Sequence, residues 1–465
     1  MSLVTPVEVV PADRLGRVHF VGIGGAGMSG IARIMLGRGI PVSGSDAKDS
    51  ELLADLRAMG ATTYVGHAAE HVGDASTVVV STAIRETNPE LAAARERGLL
   101  VLHRAAALAS LMDGRRSVAV AGTHGKTTTT SMLTVALQHA GADPSYCIGG
   151  QLVTTGLGAA DGSGDLFVAE ADESDGSFLM FAPKAAIVTN IEADHLDNYT
   201  DFAMVKETFA RFVERIQPGG LLVVCADDPV TRALGEEGAR RGLTVRTYGE
   251  AEDADYRTEG FTPRGLGSRF TVGERTLELS VPGRHMALNA TAAYATAVEL
   301  GVSADAVAEG LAGFTGARRR LEPKGEVGGV KVFDSYAHHP TELAADLRAT
   351  RDYVGELGGG RIIAVFQPHL FSRTKFFAAE FGAALGLADE AVVMDVFPAR
   401  EDPIPGVTGE LVAKAVPHGR VTYEADGNAV AGRVAAIAAP GDVIITMGAG
   451  DVTTLGPKIL GLLGA

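Results

Sequence analysis

Apolar positions in the first quarter of the chain fall in short unbroken runs separated by amphipathic stretches. The run VHFVGIGG at 18–25 reads as a buried strand, and MSGIARIMLGRG after it carries apolar residues at helical spacing. A short strand ending at Ser45-Asp46, a helix near 51–59, a strand at 76–84 and a helix near 89–97 continue the alternation, and LASLMDGRR (108–116) closes the unit. A second unit starts with a strand, a Gly loop and a helix in SVAVAGTHGKTTTTSMLTVALQHAG, and continues through apolar runs at 165–175, 185–195 and 219–228. Residues 253–282 alternate with turn residues between, the pattern of a small antiparallel patch, and helices follow at 286–300 and near 304–312. FTGARRRLEPKG (313–324) reads as a basic linker. From KVFDSYAHHPTE onward, a helix near 341–353, a strand 361–367, a helix near 374–386 and strands at 391–397 and 442–450 form a third unit. Strands alternating with helices predict an α/β fold with parallel sheets in three units.

Composition adds limits rather than detail. The 465 residues match a prior of about three domains. A net charge of −16 argues against general binding to nucleic acid or anionic membranes. Cys147 and Cys225 are the only cysteines, too few for a disulfide framework, which points to a reducing cytoplasm. The N-terminus lacks a signal-peptide pattern and no apolar run reaches a membrane span, so no membrane insertion is expected. Glycine, 59 residues or roughly twice the usual ~7%, has no collagen period and belongs in tight turns and ligand loops.

Three motifs carry chemistry. Gly22-x-Gly24-x-x-Gly27 lies between a strand and a helix, with Asp46 nineteen residues beyond. Three glycines so spaced arise by chance about once in such a chain, so the strand-to-helix context carries the phosphate-binding reading against that of a plain tight turn. Gly122-Thr123-His124-Gly125-Lys126-Thr127-Thr128 is far rarer by chance and supplies the amides, ammonium and hydroxyl that a triphosphate and Mg²⁺ require. It is a variant loop, because Val120 stands where the usual pattern has its first glycine. Glu170, Asp172, Glu173 and Asp175 follow one strand, and Glu192, Asp194, His195 and Asp197 follow the next. One such run is ordinarily a solvated loop; two behind a Lys-Thr phosphate loop point to metal and phosphate work.

The chain resembles the bacterial Mur ligases, the ATP-dependent amide ligases of peptidoglycan precursor synthesis. GIGGAGMSGIA, GTHGKTTT, EADESDGSF, TNIEADHLD, GRHMALNA, AHHPTE, QPHLFSRTK, PAREDPIPGVTG and GAGDV carry the likeness, in order, over nearly the whole chain. The resemblance implies a Rossmann-like N-terminal domain binding a UDP-sugar (1–112), a central P-loop ATPase-like α/β domain binding ATP (113–317) and a Rossmann-like C-terminal domain for the amino acid (318–465). The branch it points to joins L-alanine to the lactyl carboxylate of UDP-N-acetylmuramate through an acyl phosphate. A ligase taking a recycled tripeptide is the nearest rival, and an NAD-dependent oxidoreductase built on residues 22–27 the more distant one.

By this likeness Lys126 contacts the β- and γ-phosphates, Thr127, Glu170 and His195 hold Mg²⁺, and His285 and Asn289 face adenine. Met286 stands where many relatives have asparagine. Gly24, Ala26, Gly27, Asp46, Ser81, Thr82 and His103 fall on the UDP-sugar site. His369 and Arg373 fall beside the reacting carboxylate and amine, and Asp334, His338 and His339 match the family's DDYAHHP stretch, although Ser335 replaces its second acidic residue. Arg319 and Arg320 match a hinge. Lys206 does not fit the carbamylated-lysine position of other branches.

Overall fold

The computed structural model describes residues 4–195, 198–399 and 401–464. Leu196 and Asp197 of the second acidic stretch, and Arg400 of PAREDPIPGVTG, lie outside the described residues. The fold is α/β with a sheet in each of three regions, and it divides into two compact units. One holds the chain up to Arg257 together with Asn289–Leu311; the other holds Thr258–Leu288 and the chain from Ala312 onward.

The first sheet is built from β1 (Val18–Val21), β2 (Val42–Asp46), β3 (Thr62–Val65), β4 (Thr77–Val80) and β5 (Leu100–His103), with helices α1 (Ala26–Gly37), α2 (Glu51–Ala58), α3 (Pro89–Glu96) and α4 (Arg104–Met112) between and after them. Its order is β3-β2-β1-β4-β5, all parallel. The order reverses at β1, so the Gly22–Gly27 turn leaves the sheet at its switch point, where α/β sheets place ligands. All four residues of β1 are buried, the polar His19 among three apolar side chains, which fits a strand covered on both faces. Ser50 and Asn88 cap α2 and α3 by accepting first-turn amides.

The second sheet starts with β6 (Arg116–Ala121), followed by α5 (Lys126–His139), β7 (Ser145–Cys147), β8 (Ala159–Ala160), β9 (Leu166–Glu170) and β10 (Ala185–Val188). Helix α6 (Phe202–Glu214), β11 (Leu221–Cys225), α7 (Pro229–Arg240) and β12 (Thr244–Gly249) continue it. Within the first unit the order is β12-β11-β10-β6-β9-β7-β8, parallel except for the β7–β8 pair. Strand β6 lies between β10 and β9, so the loop after it is again at a switch point. One apolar cluster serves both sheets of this unit, joining Met28, Ile31 and Met35 of α1 to Cys147, Ala159, Phe178 and Phe209.

The chain passes into the second unit within β13 (Tyr256–Arg264), which pairs with β14 (Gly267–Val272) and through it β15 (Arg275–Leu279) as the expected antiparallel patch. It returns within α8 (Arg284–Glu299) for α9 (Ala304–Ala312). The third sheet contains β16 (Glu322–Val327), β17 (Val330–Ser335), β18 (Ile362–Phe366), β19 (Glu390–Met394), β20 (Val421–Glu424) and β21 (Val443–Met447), in the order β16-β17-β21-β18-β19-β20. Helices α10 (Pro340–Glu356), α11 (Phe371–Leu385), α12 (Gly409–Ala415), α13 (Gly427–Ile437) and α14 (Leu455–Leu463) complete it, with separate apolar clusters on the two faces.

The stretch 313–324 is not a solvated linker. Leu321 is buried, β16 starts at Glu322, and Arg319, with φ +60°, is bound into the second unit. Its guanidinium donates to the carbonyls of Gly448 (2.5 Å) and Gly450 (3.3 Å) and to Asp334 (3.3 Å). Asp334 is wholly buried and also accepts from Thr446 and Thr453, both at 2.7 Å. A buried carboxylate needs such donors, and the arginine supplies a charged one.

Candidate active site

Gly122 has φ +134° and Gly125 φ +82°, and a Cβ at Gly122 would lie 2.0 Å from Thr189 Oγ1. Only glycine fits there. The loop is fastened to the end of β10: Asn190 Oδ1 accepts the His124 amide (2.8 Å), Asn190 Nδ2 donates to the His124 carbonyl (3.1 Å), and Thr123 Oγ1 accepts the Glu192 amide (2.8 Å). Thr127 and Thr128 follow on the buried first turn of α5, whose N-terminal amides and dipole favour phosphate. Asn289, on α8, stands against Gly125: a Cβ at that glycine would meet its Oδ1 at 2.6 Å.

Lys126 Nζ donates to the carbonyls of Gly122 (2.6 Å) and Thr123 (3.1 Å) and to Glu173 Oε1 (2.8 Å). Burial works against its charge, but Glu173, then Glu170 and Asp172, hold its pKa above the ordinary lysine value. Thr127 Oγ1 donates to Glu170 Oε1 (3.1 Å), and Glu170 Oε2 accepts the Gly149 amide (2.7 Å). His195, with φ +53°, turns toward Glu173, its Nε2 3.5 Å from Oε1. The structure thus gathers the phosphate loop, Asn289, Glu170 and His195, and adds Glu173 as the counter-charge to Lys126.

The N-terminal turn approaches the same acidic strand end. Asp46 Oδ2 accepts the Gly24 amide at 2.9 Å. Ala26 opens α1, and Ser81 and Thr82 follow β4, half-buried and exposed respectively. His103 caps α4 by accepting the Ala105 amide (3.3 Å); burial lowers its pKa, with Asp175 pulling the other way. Arg104, which sequence reasoning did not single out, is 2.6 Å from Asp172 and 3.7 Å from the Cβ position of Gly27. Burial opposes the Asp172 charge, yet Arg104 and a hydrogen bond from the Ser174 side chain hold its pKa below the usual range. Arg104 therefore presents a cation between the Gly22–Gly27 turn and the acidic residues that follow β9. Its pairing spans 68 residues and leaves no local signature.

In the second unit the rings of His338 and His369 lie 6.1 Å apart, and His369 stacks on Phe397 at 5.8 Å. The guanidiniums of Arg319 and Arg320 lie over the Tyr336 ring at 4.8 and 5.5 Å. Arg373 is buried in the first turn of α11, whose Ser372 amide is held by Glu401 (2.9 Å). His339 caps α10 with Glu342 in a capping box.

His285 also lies in the second unit, its Nε2 3.5 Å from Asp346 Oδ1; Ser335 donates to the other carboxylate oxygen. Burial pushes Asp346 up to about 7 and, with the Arg320 charge, pushes His285 down to about 4. The stability slopes oppose each other. Folded Asp346 keeps a proton that the unfolded chain loses above 3.8, so its contribution falls with pH up to about 7. Folded His285 lacks a proton that the unfolded chain keeps below 6.5, so its contribution rises from about 4 to 6.5. Asp346→Asn should remove the falling part alone. Urea midpoints measured across this range should climb to 6.5 and then level off in the variant, whereas the wild type declines above 6.5.

Family models match the chain in sequence: the Mur ligase catalytic domain over residues 17–116, the Mur ligase middle domain over 120–297 and the Mur ligase glutamate ligase domain over 319–450. The UDP-N-acetylmuramate–L-alanine ligase of Thermobifida fusca is 58% identical, with 100% of each chain covered. That of Kineococcus radiotolerans is 59% identical over 99% of this chain and 98% of its own. The crystal structure of the UDP-N-acetylmuramate–alanine ligase of Thermotoga maritima is 28% identical, with a TM-score of 0.79 over 96% of this chain and 98% of that one. A murein peptide ligase structure from Psychrobacter arcticus gives 25% and 0.68 over 97% and 99%.

Proposed function

We infer the reaction from one premise: the chain belongs to the Mur ligase family. It is an ATP-dependent ligase that joins L-alanine to the lactyl carboxylate of UDP-N-acetylmuramate through an acyl phosphate, releasing ADP and phosphate, in peptidoglycan precursor synthesis. Full-length identity of 57–59% to several relatives with that activity in their names carries this reading, and it favours L-alanine over the tripeptide acceptor.

The carboxylate oxygen attacks the γ-phosphorus and ADP leaves; the neutral amine then attacks the acyl carbon and phosphate leaves. We assign Lys126 to the β- and γ-phosphates, where its ammonium offsets the repulsion between carboxylate and triphosphate. Glycine at 122 and 125 lets the backbone approach the phosphates, and Asn289 stands at the loop in reach of the nucleotide. The Thr127 hydroxyl and Glu170 carboxylate, 3.1 Å apart at the phosphate end, are hard oxygen donors that suit Mg²⁺, and His195 completes the proposed set. Mg²⁺ held there would neutralise charge on the transferring phosphoryl group.

On the sugar-nucleotide side we assign Gly24, Ala26, Gly27 and Asp46, with Ser81, Thr82 and His103 as further contacts. Arg104 supports this assignment, since its guanidinium faces the Cβ side of Gly27 and would attract an anionic group. We assign His369 and Arg373 to the carboxylate and amine, with His369 the candidate to take the amine proton. His285 keeps its assignment to adenine from the family likeness alone. We keep the domain limits 1–112, 113–317 and 318–465, each of which contains one sheet. No helix of the described residues is long and apolar enough to cross a membrane. Cys147 and Cys225 are buried free thiols, pushed up to about 12 and about 11 by burial, which supports a cytoplasmic setting.

The test is ADP and phosphate release by the full chain. Release should need UDP-N-acetylmuramate and L-alanine together. Equal turnover with L-Ala-D-Glu-diaminopimelate in place of L-alanine would overturn the acceptor, and release needing neither substrate would overturn the ligase reading.

A further inference from the structure

Glu90 is the second residue of α3, a place where a glutamate ordinarily reaches solvent, yet its side chain is 0% exposed. Its carboxylate collects donors from three segments. Ser45 Oγ donates at 2.5 Å, His67 Nδ1 lies at 3.2 Å, His71 Nδ1 at 3.1 Å and the Ala68 amide at 3.4 Å. His19 of β1 presents Nε2 at 3.8 Å, its Nδ1 being engaged with Ser43 Oγ at 2.9 Å. His71 is fixed in turn by stacking on Tyr64 at 4.2 Å. Burial works to raise the pKa of Glu90, but these hydrogen bonds and the His19 charge pull it down to about 2. The carboxylate stays an acceptor for all of them.

The network ends on the sugar-nucleotide turn. The Ser45 carbonyl accepts the amides of Gly22 (2.8 Å) and Ile23 (2.9 Å), and the next residue, Asp46, accepts Gly24. Asp46 is also tied through its carbonyl to the Gly66 amide (2.7 Å), beside His67. One buried carboxylate thus sets both the residue that carries the Gly22–Gly27 turn and the loop that flanks Asp46.

We propose that Glu90 is a positioning residue for the sugar nucleotide: it orients the Gly22–Gly27 turn through Ser45 and the Asp46 flank through His67 and His71. The proposal rests on the reading that this turn and Asp46 bind UDP-N-acetylmuramate. Glu90→Gln keeps the shape but turns an NH₂ donor toward the donors of Ser45 or the histidines, so the turn loses its fixed geometry.

Steady-state kinetics on the full chain should show about a tenfold rise in KM for UDP-N-acetylmuramate in Glu90→Gln, with kcat and KM for ATP within about twofold. Ser45→Ala should act in the same direction, and the Ser45→Ala/Glu90→Gln double variant should cost no more than the larger single effect, because both act through one contact. A purely structural role would lower the melting temperature without splitting the two KM values. Asp46→Asn serves as the control for the underlying reading. If Asp46→Asn raises the sugar-nucleotide KM and Glu90→Gln does not, the proposal fails alone. If neither raises it, the assignment of the turn fails and the proposal falls with it. If Glu90→Gln does not fold, Ser45→Ala decides, and an unchanged KM there overturns the proposal.

Discussion

Lys126→Ala lowers kcat by about 10²–10³, or ~3–4 kcal/mol of barrier, while leaving KM for UDP-N-acetylmuramate close to wild type. Charge moves onto the bridging oxygen as the γ-phosphoryl leaves ADP, so an ammonium there binds the transition state better than the ground state. The structure adds a complication. Lys126 is the close ion partner of Glu173, which is 2% exposed, and removing it leaves that carboxylate to His195 at 3.5 Å. Breaking a buried pair from one side typically costs ~3–5 kcal/mol of stability. The Lys126→Ala/Glu173→Gln double variant removes the stranded charge. It should melt nearer the wild-type temperature than Lys126→Ala and still lack the rate. Near-normal kcat in a folded Lys126→Ala would refute the phosphate role.

Removal of divalent metal by EDTA should abolish turnover, and added Mg²⁺ should restore it. Thr127→Ala and Glu170→Ala raise the Mg²⁺ concentration for half-maximal rate by about tenfold or more, as loss of a ligating oxygen would. Glu170→Ala also deprives the Gly149 amide of its acceptor, so its effect should exceed that of Thr127→Ala. Lys126→Ala should leave the Mg²⁺ requirement nearly unchanged, which separates the lysine's part from the metal's. Full turnover in chelator would remove the metal assignment.

What the sequence revealed follows from burial. Strands buried on both faces, such as β10 with its unbroken apolar run and β1 with three apolar residues of four, were legible. The edge strands β3 and β5 were not. Thr62–Val65 has no fully buried position and Leu100–His103 only one, so neither gives a run or a clean alternation. The phosphate loop was legible because its chemistry is local: glycine, lysine and threonine sit within seven residues. Arg104–Asp172 and Ser45–Glu90 were not, since partners 68 and 45 residues apart meet only through the fold. The basic run at 318–320 looked like solvated linker because composition cannot show that Arg319 has buried carbonyls and Asp334 to bond.

The apolar cluster shared by the first two sheets makes the opening 112 residues a poor module for exchange between relatives. A Cβ at Gly30 would come within 3.1 Å of Ala159, and one at Gly37 within 3.1 Å of Asp161; Arg38 reaches the same Asp161 at 2.8 Å. A chimera spliced at Asp113 would therefore set one parent's α1 against another parent's 145–161 segment, with no slack for a mismatched methyl group. Recombination that keeps the Gly22–Gly27 and Gly122–Thr128 loops intact should still yield destabilised protein unless residues 30–38 and 145–161 come from the same parent.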